Sequence, residues 1–175
     1  ERLLCAHWFA PPHIVPLVEV VGGPETSARA IDSTVSLLES VGKRPVVMRK
    51  FVPGFIANRI MMAMADAAEE LIDSGACTPA EIDHAIKTSV GVRLGVVGIF
   101  QSLDFNGLDL IAGDRRLEEL PNYLRSKVEA GDLGVKTGRG FHEYNSPTKA
   151  LSNRDLAYLA VLHTLEASTD FAPIH

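Results

Sequence analysis

The feature that most constrains this chain is a change of hydrophobic period at Val52-Pro53-Gly54. Before it, short runs rich in β-branched residues alternate with turn signals; after it, apolar residues recur at helical spacing. Residues 3–9 read as a short buried strand, ended by Pro11-Pro12 because proline has no N–H to give to a ladder. Residues 17–21, Leu-Val-Glu-Val-Val, read as a second strand stopped by Gly22-Gly23-Pro24. Thr26 is the expected N-cap of a helix running to about Val41, with Ile31, Val35 and Leu38 on one face and Gly42 at its end. Residues 45–48 read as a third strand. Strand, helix, strand in this order belongs to an α/β sheet.

Beyond the break, residues 54–74 are expected to form one long helix. Ile56, Ile60, Ala63, Met64, Ala67 and Leu71 make a stripe, and Met61, Met62 and Ala65 make the opposite side apolar as well. A helix apolar nearly all round is expected to be buried, often at a domain or subunit interface. Thr78-Pro79-Ala80-Glu81 predicts a further helix start, with Thr78 capping, Pro79 in the first turn and Glu81 completing a capping box. Short helices are predicted around 97–103, 107–113 and 118–130, a glycine-rich turn region over 132–144, and an amphipathic helix over 149–167. The fold class is therefore an α/β segment followed by an all-α segment, mostly α overall, with the boundary near residues 50–53.

Composition narrows the function classes. Of 175 residues, 46% are hydrophobic and 22% charged, which is a soluble globular balance. The net charge of −5 shows no basic excess of the kind a nucleic-acid binder carries. Lys43, Arg44, Arg49 and Lys50 gather in one stretch, and the expected reading is a solvated face beside a strand. No apolar run is long enough to span a membrane, and no signal peptide is evident. Two cysteines, Cys5 and Cys77, make no disulfide framework and fit a reducing cytoplasm. Cys5 and His7 lack a second ligand cluster, so no metal is expected. The chain opens on Glu1 and enters an apolar run at once; the expectation is a fragment that continues upstream.

Three stretches can carry chemistry. In the first, His7 sits at a predicted strand end before a proline break, and strand ends are where open α/β sheets bind ligands. Glu19 lies in an apolar β run, where a carboxylate is costly without a partner. A buried carboxylate beside an imidazole fixes its tautomer and raises its basicity, although a histidine near a strand end is commonly structural. In the second, Pro53-Gly54-Phe55-Ile56-Ala57-Asn58-Arg59, the Asn58 amide falls near the start of the apolar helix, where it must find several hydrogen-bond partners. A structural asparagine is the plainer reading of that position. In the third, Gly134-Val135-Lys136-Thr137-Gly138-Arg139-Gly140-Phe141, glycines permit close approach to a ligand and Lys136 can meet a phosphate or ribose, although such a loop is commonly just a turn. Neither a P-loop nor Gly-x-Gly-x-x-Gly occurs anywhere in the chain.

Taken together and in order, these stretches resemble the 3-hydroxyacyl-CoA dehydrogenase family. His7 to Val21 is similar to that family's His-x-Phe-Asn-Pro…Leu-Val-Glu-Val motif, and the spacing of twelve from His7 to Glu19 matches its catalytic His–Glu pair. Pro53 to Arg59 resembles the motif that opens the family's helical domain and carries a substrate-contacting asparagine, here Asn58. Gly134 to Phe141 resembles its closing glycine loop, whose lysine, here Lys136, reaches the cofactor. The resemblance implies that residues 1–50 are the end of an NAD-binding Rossmann domain. It implies a helical C-terminal domain over 51–145; residues 146–175, beyond the resemblance, read as a C-terminal helix and tail. It further implies NAD as cofactor, a homodimer, and oxidation of a secondary hydroxyl on a hydroxyacyl-CoA or hydroxy acid, with His7 as base, Glu19 as its orienting partner and Asn58 on the substrate.

Two departures bear on the substrate. Ala10 stands where the family usually has asparagine, and Gly95-Val96-Val97-Gly98-Ile99-Phe100 lacks the proline that usually precedes Asp-x-x-Gly-Leu-Asp. Trp8 and Pro11-Pro12-His13-Ile14 look more like relatives acting on small polar alcohols and acids, such as carnitine or pyridine carboxylates. The competing reading is a non-catalytic dimerisation or binding fragment, inactive by itself.

Overall fold

The computed structural model describes residues 1–167, which fold into two compact units, one over Glu1–Ser74 and one from Gly75 onward. The first is α/β. Strands β1 (Leu4–Trp8), β2 (Leu17–Gly22) and β3 (Arg44–Met48) form a sheet in the order β1-β2-β3, antiparallel between β1 and β2 and parallel between β2 and β3. Helix α1 (Ala28–Ser40) makes the crossover that parallel strands require. Its N-cap is Ser27, whose hydroxyl accepts from the Ala30 N–H, rather than the predicted Thr26. Thr26 Oγ1 is committed elsewhere: it accepts from the Gly23 N–H and donates to the Leu3 carbonyl.

Strand alternation divides the sheet into two faces. Val18 and Val20 point to one side, where they form a buried core with Leu38 of α1, joined by Leu4 and Ala6. Residues Cys5, His7, Glu19 and Val21 occupy the other. Lys43, expected on a solvated face, instead donates to the Pro12 and Val15 carbonyls, 3.0 Å for the latter, and lies 5.3 Å from the Trp8 ring centroid. It ties down the turn between β1 and β2.

Helix α2 (Ala57–Asp73) completes the first unit, starting later than the break at Gly54 because 53–56 form a turn. The expectation that this helix is buried is corrected: none of its residues is buried, and Met61 and Met62 are 62% and 60% exposed. An apolar stripe states what a helix requires, not what stands opposite it. Among the described residues, no strand or helix of the first unit packs along its length.

The second unit is helical. Helix α3 (Pro79–Ala85) carries the predicted capping box between Thr78 and Glu81. It continues through a π-helical turn, Ile86–Val90, into α4 (Gly91–Val96). Then come α5 (Ile99–Asn106), α6 (Leu108–Ala112), α7 (Asn122–Glu129) and α8 (Pro147–Glu166). The single helix predicted over 118–130 is split at Pro121, leaving a 3-10 turn, Leu117–Glu119, before α7. Leu108, Ala112, Leu120 and Leu124 form the core, with Phe141 against them. No described helix is long and apolar enough to cross a membrane. Residues 168–175, the end of the predicted tail, lie outside the described residues.

Candidate active site

The antiparallel register of β1 and β2 sets His7 directly opposite Glu19, on the sheet face away from α1. Directly opposed side chains in such a pair are neighbours, which is how a sequence spacing of twelve becomes a contact. His7 Nδ1 lies 3.3 Å from Glu19 Oε2. Glu19 is only 1% exposed, whereas the His7 side chain retains 26% of its surface. The second carboxylate oxygen, Oε1, accepts from the backbone N–H groups of Ile56 and Ala57, each at 3.0 Å. Those are among the amides that a helix N-terminus leaves without partners, and the N-cap residue Ile56 has no side chain able to serve them. Glu19 therefore caps α2 from another strand, and the positive end of the helix dipole favours its negative charge.

This arrangement fixes the imidazole chemically. An ionised carboxylate only accepts hydrogen bonds, so in the neutral imidazole Nδ1 carries the proton and Nε2 holds the lone pair. No hydrogen bond engages Nε2 among the described residues. The ring is sandwiched: Phe55 stacks on it with centroids 4.2 Å apart and planes 10° apart, and Phe9 meets it edge-on at 4.7 Å. The result is a nitrogen base, oriented from behind, on a partly exposed ring.

Asn58 stands on the first turn of α2 and is exposed, which corrects the expectation of a buried amide. It makes no hydrogen bond to His7 or Glu19. Lys136 belongs to the second unit, in the 3-10 turn Val135–Thr137. Its ammonium donates to both carboxylate oxygens of Asp109, at 2.6 and 2.5 Å, and this bond holds the Asp109 carboxyl below the ordinary carboxylate range.

Sequence reasoning missed Asp104. This residue is 1% exposed, and its carboxylate accepts from the Phe141 N–H at 2.8 Å, the His142 N–H at 2.9 Å and the Tyr144 hydroxyl at 3.0 Å. The glycine loop closes over it. A Cβ on Gly134 would stand 2.2 Å from the Asp104 carbonyl oxygen, and one on Gly140 2.1 Å from Asp104 Oδ1. These glycines serve close packing against α5. The signal was present, in an aspartate set between Leu103 and Phe105.

Residues 54–144 match the family model for the 3-hydroxyacyl-CoA dehydrogenase C-terminal domain, and residues 1–51 match the model for that enzyme's NAD binding domain. The chain belongs to the 3-hydroxyacyl-CoA dehydrogenase family. It is 32% identical over 176 residues to a 5-formyl-3-hydroxy-2-methylpyridine 4-carboxylate 5-dehydrogenase of Mesorhizobium japonicum, covering 95% of this chain and 57% of that protein. It is 43% identical over 107 residues to an L-carnitine dehydrogenase of Pseudomonas aeruginosa, covering 61% of this chain and 33% of that protein. The crystal structure of a 3-hydroxyacyl-CoA dehydrogenase from Archaeoglobus fulgidus superposes with a TM-score of 0.80 at 29% identity, covering 94% of this chain and 60% of that one. The chain thus spans between a third and three fifths of these relatives. In family terms, the sheet of the first unit is the end of a Rossmann-type NAD-binding domain, and the helices that follow are the 3-hydroxyacyl-CoA dehydrogenase C-terminal domain.

Proposed function

We propose that this chain works in an NAD-dependent dehydrogenase that oxidises a secondary hydroxyl of a hydroxy acid or hydroxyacyl-CoA, with His7 as the general base. The observation that carries the reading is the shared carboxylate of Glu19, held by α2 on one oxygen and by His7 on the other. In the reaction, the substrate O–H proton passes to His7 Nε2 as the carbinol hydrogen leaves with its electron pair. Bound NAD supplies the acceptor for that hydride. Glu19 keeps the imidazole in its tautomer and stabilises the imidazolium that forms. Such general-base assistance is worth about 10² to 10⁴-fold in rate.

The residues present fit NAD in part. Lys136 offers an ammonium, half exposed, that suits a ribose or phosphate oxygen, and reaching one requires exchanging its bond to Asp109. Gly134 and Gly140 are not free to cradle a phosphate, because Asp104 fills their space. We assign residues 1–50 to the end of the NAD-binding domain, 51–145 to the helical domain and 146–175 to a C-terminal helix and tail. Ala10 and the missing proline in Gly95–Phe100, with the relatives named for a pyridine carboxylate and for carnitine, favour a small polar substrate over a CoA thioester.

A panel of L-carnitine, 3-hydroxybutyrate and 3-hydroxybutyryl-CoA with NAD, offered to the product of the complete reading frame and followed by NADH absorbance, tests this reading. Turnover is expected with one of the small acids. Asn58→Ala is expected to lower kcat/KM by roughly 10-fold or more, the scale of one hydrogen bond to a polar substrate group. Absence of NAD reduction with every hydroxy compound would sink the dehydrogenase reading, and an unchanged kcat/KM would remove Asn58 from the site.

The exposed apolar surface of α2 bearing Met61, Met62 and Ala65 supports a homodimer. Met61 and Met62 are 62% and 60% exposed. Obligate dimers commonly bury more than about 2,000 Å² of such surface. Light scattering across a dilution series is expected to give twice the chain mass down to micromolar concentration. A well-folded monomer there would refute the dimer.

A further inference from the structure

We propose that Phe55 is a positioning residue that fixes the plane of the His7 ring, a role that rests on the reading of His7 as the base. Phe55 has φ +53°, directly after Gly54 at φ +80°. Left-handed backbone is costly for a bulky L-residue, whereas glycine adopts it freely. A phenylalanine at this position therefore stands where the backbone favours glycine, and its ring contacts show what the side chain contributes. The ring lies 10° from parallel to the imidazole at 4.2 Å, and Phe51 meets Phe55 edge-on at 5.5 Å, so the stacking ring is itself held.

The need for such a ring follows from the geometry of the dyad. His7 makes one hydrogen bond, at 3.3 Å, and the terminal torsion of a histidine is broad and roughly two-fold. One long bond selects an orientation within a plane but defines the plane poorly. Phe55 supplies the plane and Glu19 the orientation within it. Together they determine where the Nε2 lone pair points. The next two residues hold the other member of the pair, since the Ile56 and Ala57 amides bind Glu19. The turn that opens α2 thus grips both members of the dyad at once.

Nitrogen-15 spectra of the histidine rings test this on the whole chain, with the His7 signals assigned by their loss in His7→Gln. With the imidazole in its neutral form, the native protein is expected to show one protonated and one unprotonated ring nitrogen. Phe55→Leu keeps apolar volume but removes the flat face. It is expected to draw the two His7 signals together as the ring exchanges orientations and tautomers. It should also lower kcat per folded molecule by about tenfold, the scale of a modest misplacement of a reacting group, with KM for NAD within about twofold. Phe55→Tyr keeps the flat ring and is expected to restore both. Phe55→Met gives the same readout should the leucine variant not fold. An unchanged His7 spectrum in the ring-less variant, or failure of tyrosine to restore it, overturns the proposal. If His7→Gln retains activity while Phe55→Leu still perturbs the ring, the base assignment fails and the positioning role stands.

Discussion

In the full-length enzyme, His7→Gln is expected to lower kcat by at least about 10²-fold, the low end of what a positioned general base contributes. Glutamine is close to histidine in reach and can still donate toward Glu19, so the capping of α2 survives. What it lacks is a nitrogen lone pair able to take a proton near neutral pH. NAD affinity should change little, because the ring's contacts are with Glu19, Phe9 and Phe55. Glu19→Gln is expected to cost less rate but more stability. The amide keeps one oxygen for the amides of Ile56 and Ala57 and turns its NH₂ toward His7, which forces the imidazole into its other tautomer and removes the charge at the helix end. Steady-state kinetics and thermal unfolding of the two variants separate the effects. Near-normal kcat for His7→Gln at neutral pH would take His7 out of the mechanism.

What could be read from the sequence was what neighbouring residues decide. The two β runs flanking Pro11-Pro12 put His7 and Glu19 on strands, and the family resemblance, with its separation of twelve, paired them; the register sets them face to face. The capping box at Thr78 was legible for the same reason, since its partner is three residues away. The contacts that complete the site join distant positions. Glu19 reaches amides thirty-seven and thirty-eight residues on, and Asp104 reaches amides at the same separations. No local pattern announces such bonds; only the unexplained cost of a carboxylate in an apolar run hints at them. The choice of Ser27 over Thr26 as a cap was equally hidden, because both can cap and the winner was decided by the Leu3 carbonyl, far back in the chain. The burial of α2 was overread, because periodicity records a preference and not the presence of a covering layer.

Asp104→Ala should destabilise the helical unit by about 3 kcal/mol or more, the range found when one partner of a buried charged network is removed. The carboxylate receives three hydrogen bonds at 2.8 to 3.0 Å, so alanine leaves the Phe141 and His142 amides and the Tyr144 hydroxyl without their acceptor. At roughly 4–8 °C per kcal/mol for a domain near 100 residues, the expected fall in Tm exceeds about 10 °C. Gly140→Ala should approach the same loss by the opposite route, since its Cβ would stand 2.1 Å from the carboxylate that the loop encloses. The network also sets an alkaline limit. Burial, and then the bond to Asp104, push the Tyr144 hydroxyl above its ordinary value of 10.0. An acid with a raised folded-state pKa contributes stability below its unfolded value and loses it as pH rises beyond that. The native protein should therefore weaken above about pH 10, and Tyr144→Phe should weaken less steeply there. Lys136 rides on the same loop, so the alanine variant is expected to loosen it before the first unit is affected. Calorimetry with parallel amide exchange measures both effects, and a Tm within about 3 °C of native for Asp104→Ala would show that the buried carboxylate does not hold the loop.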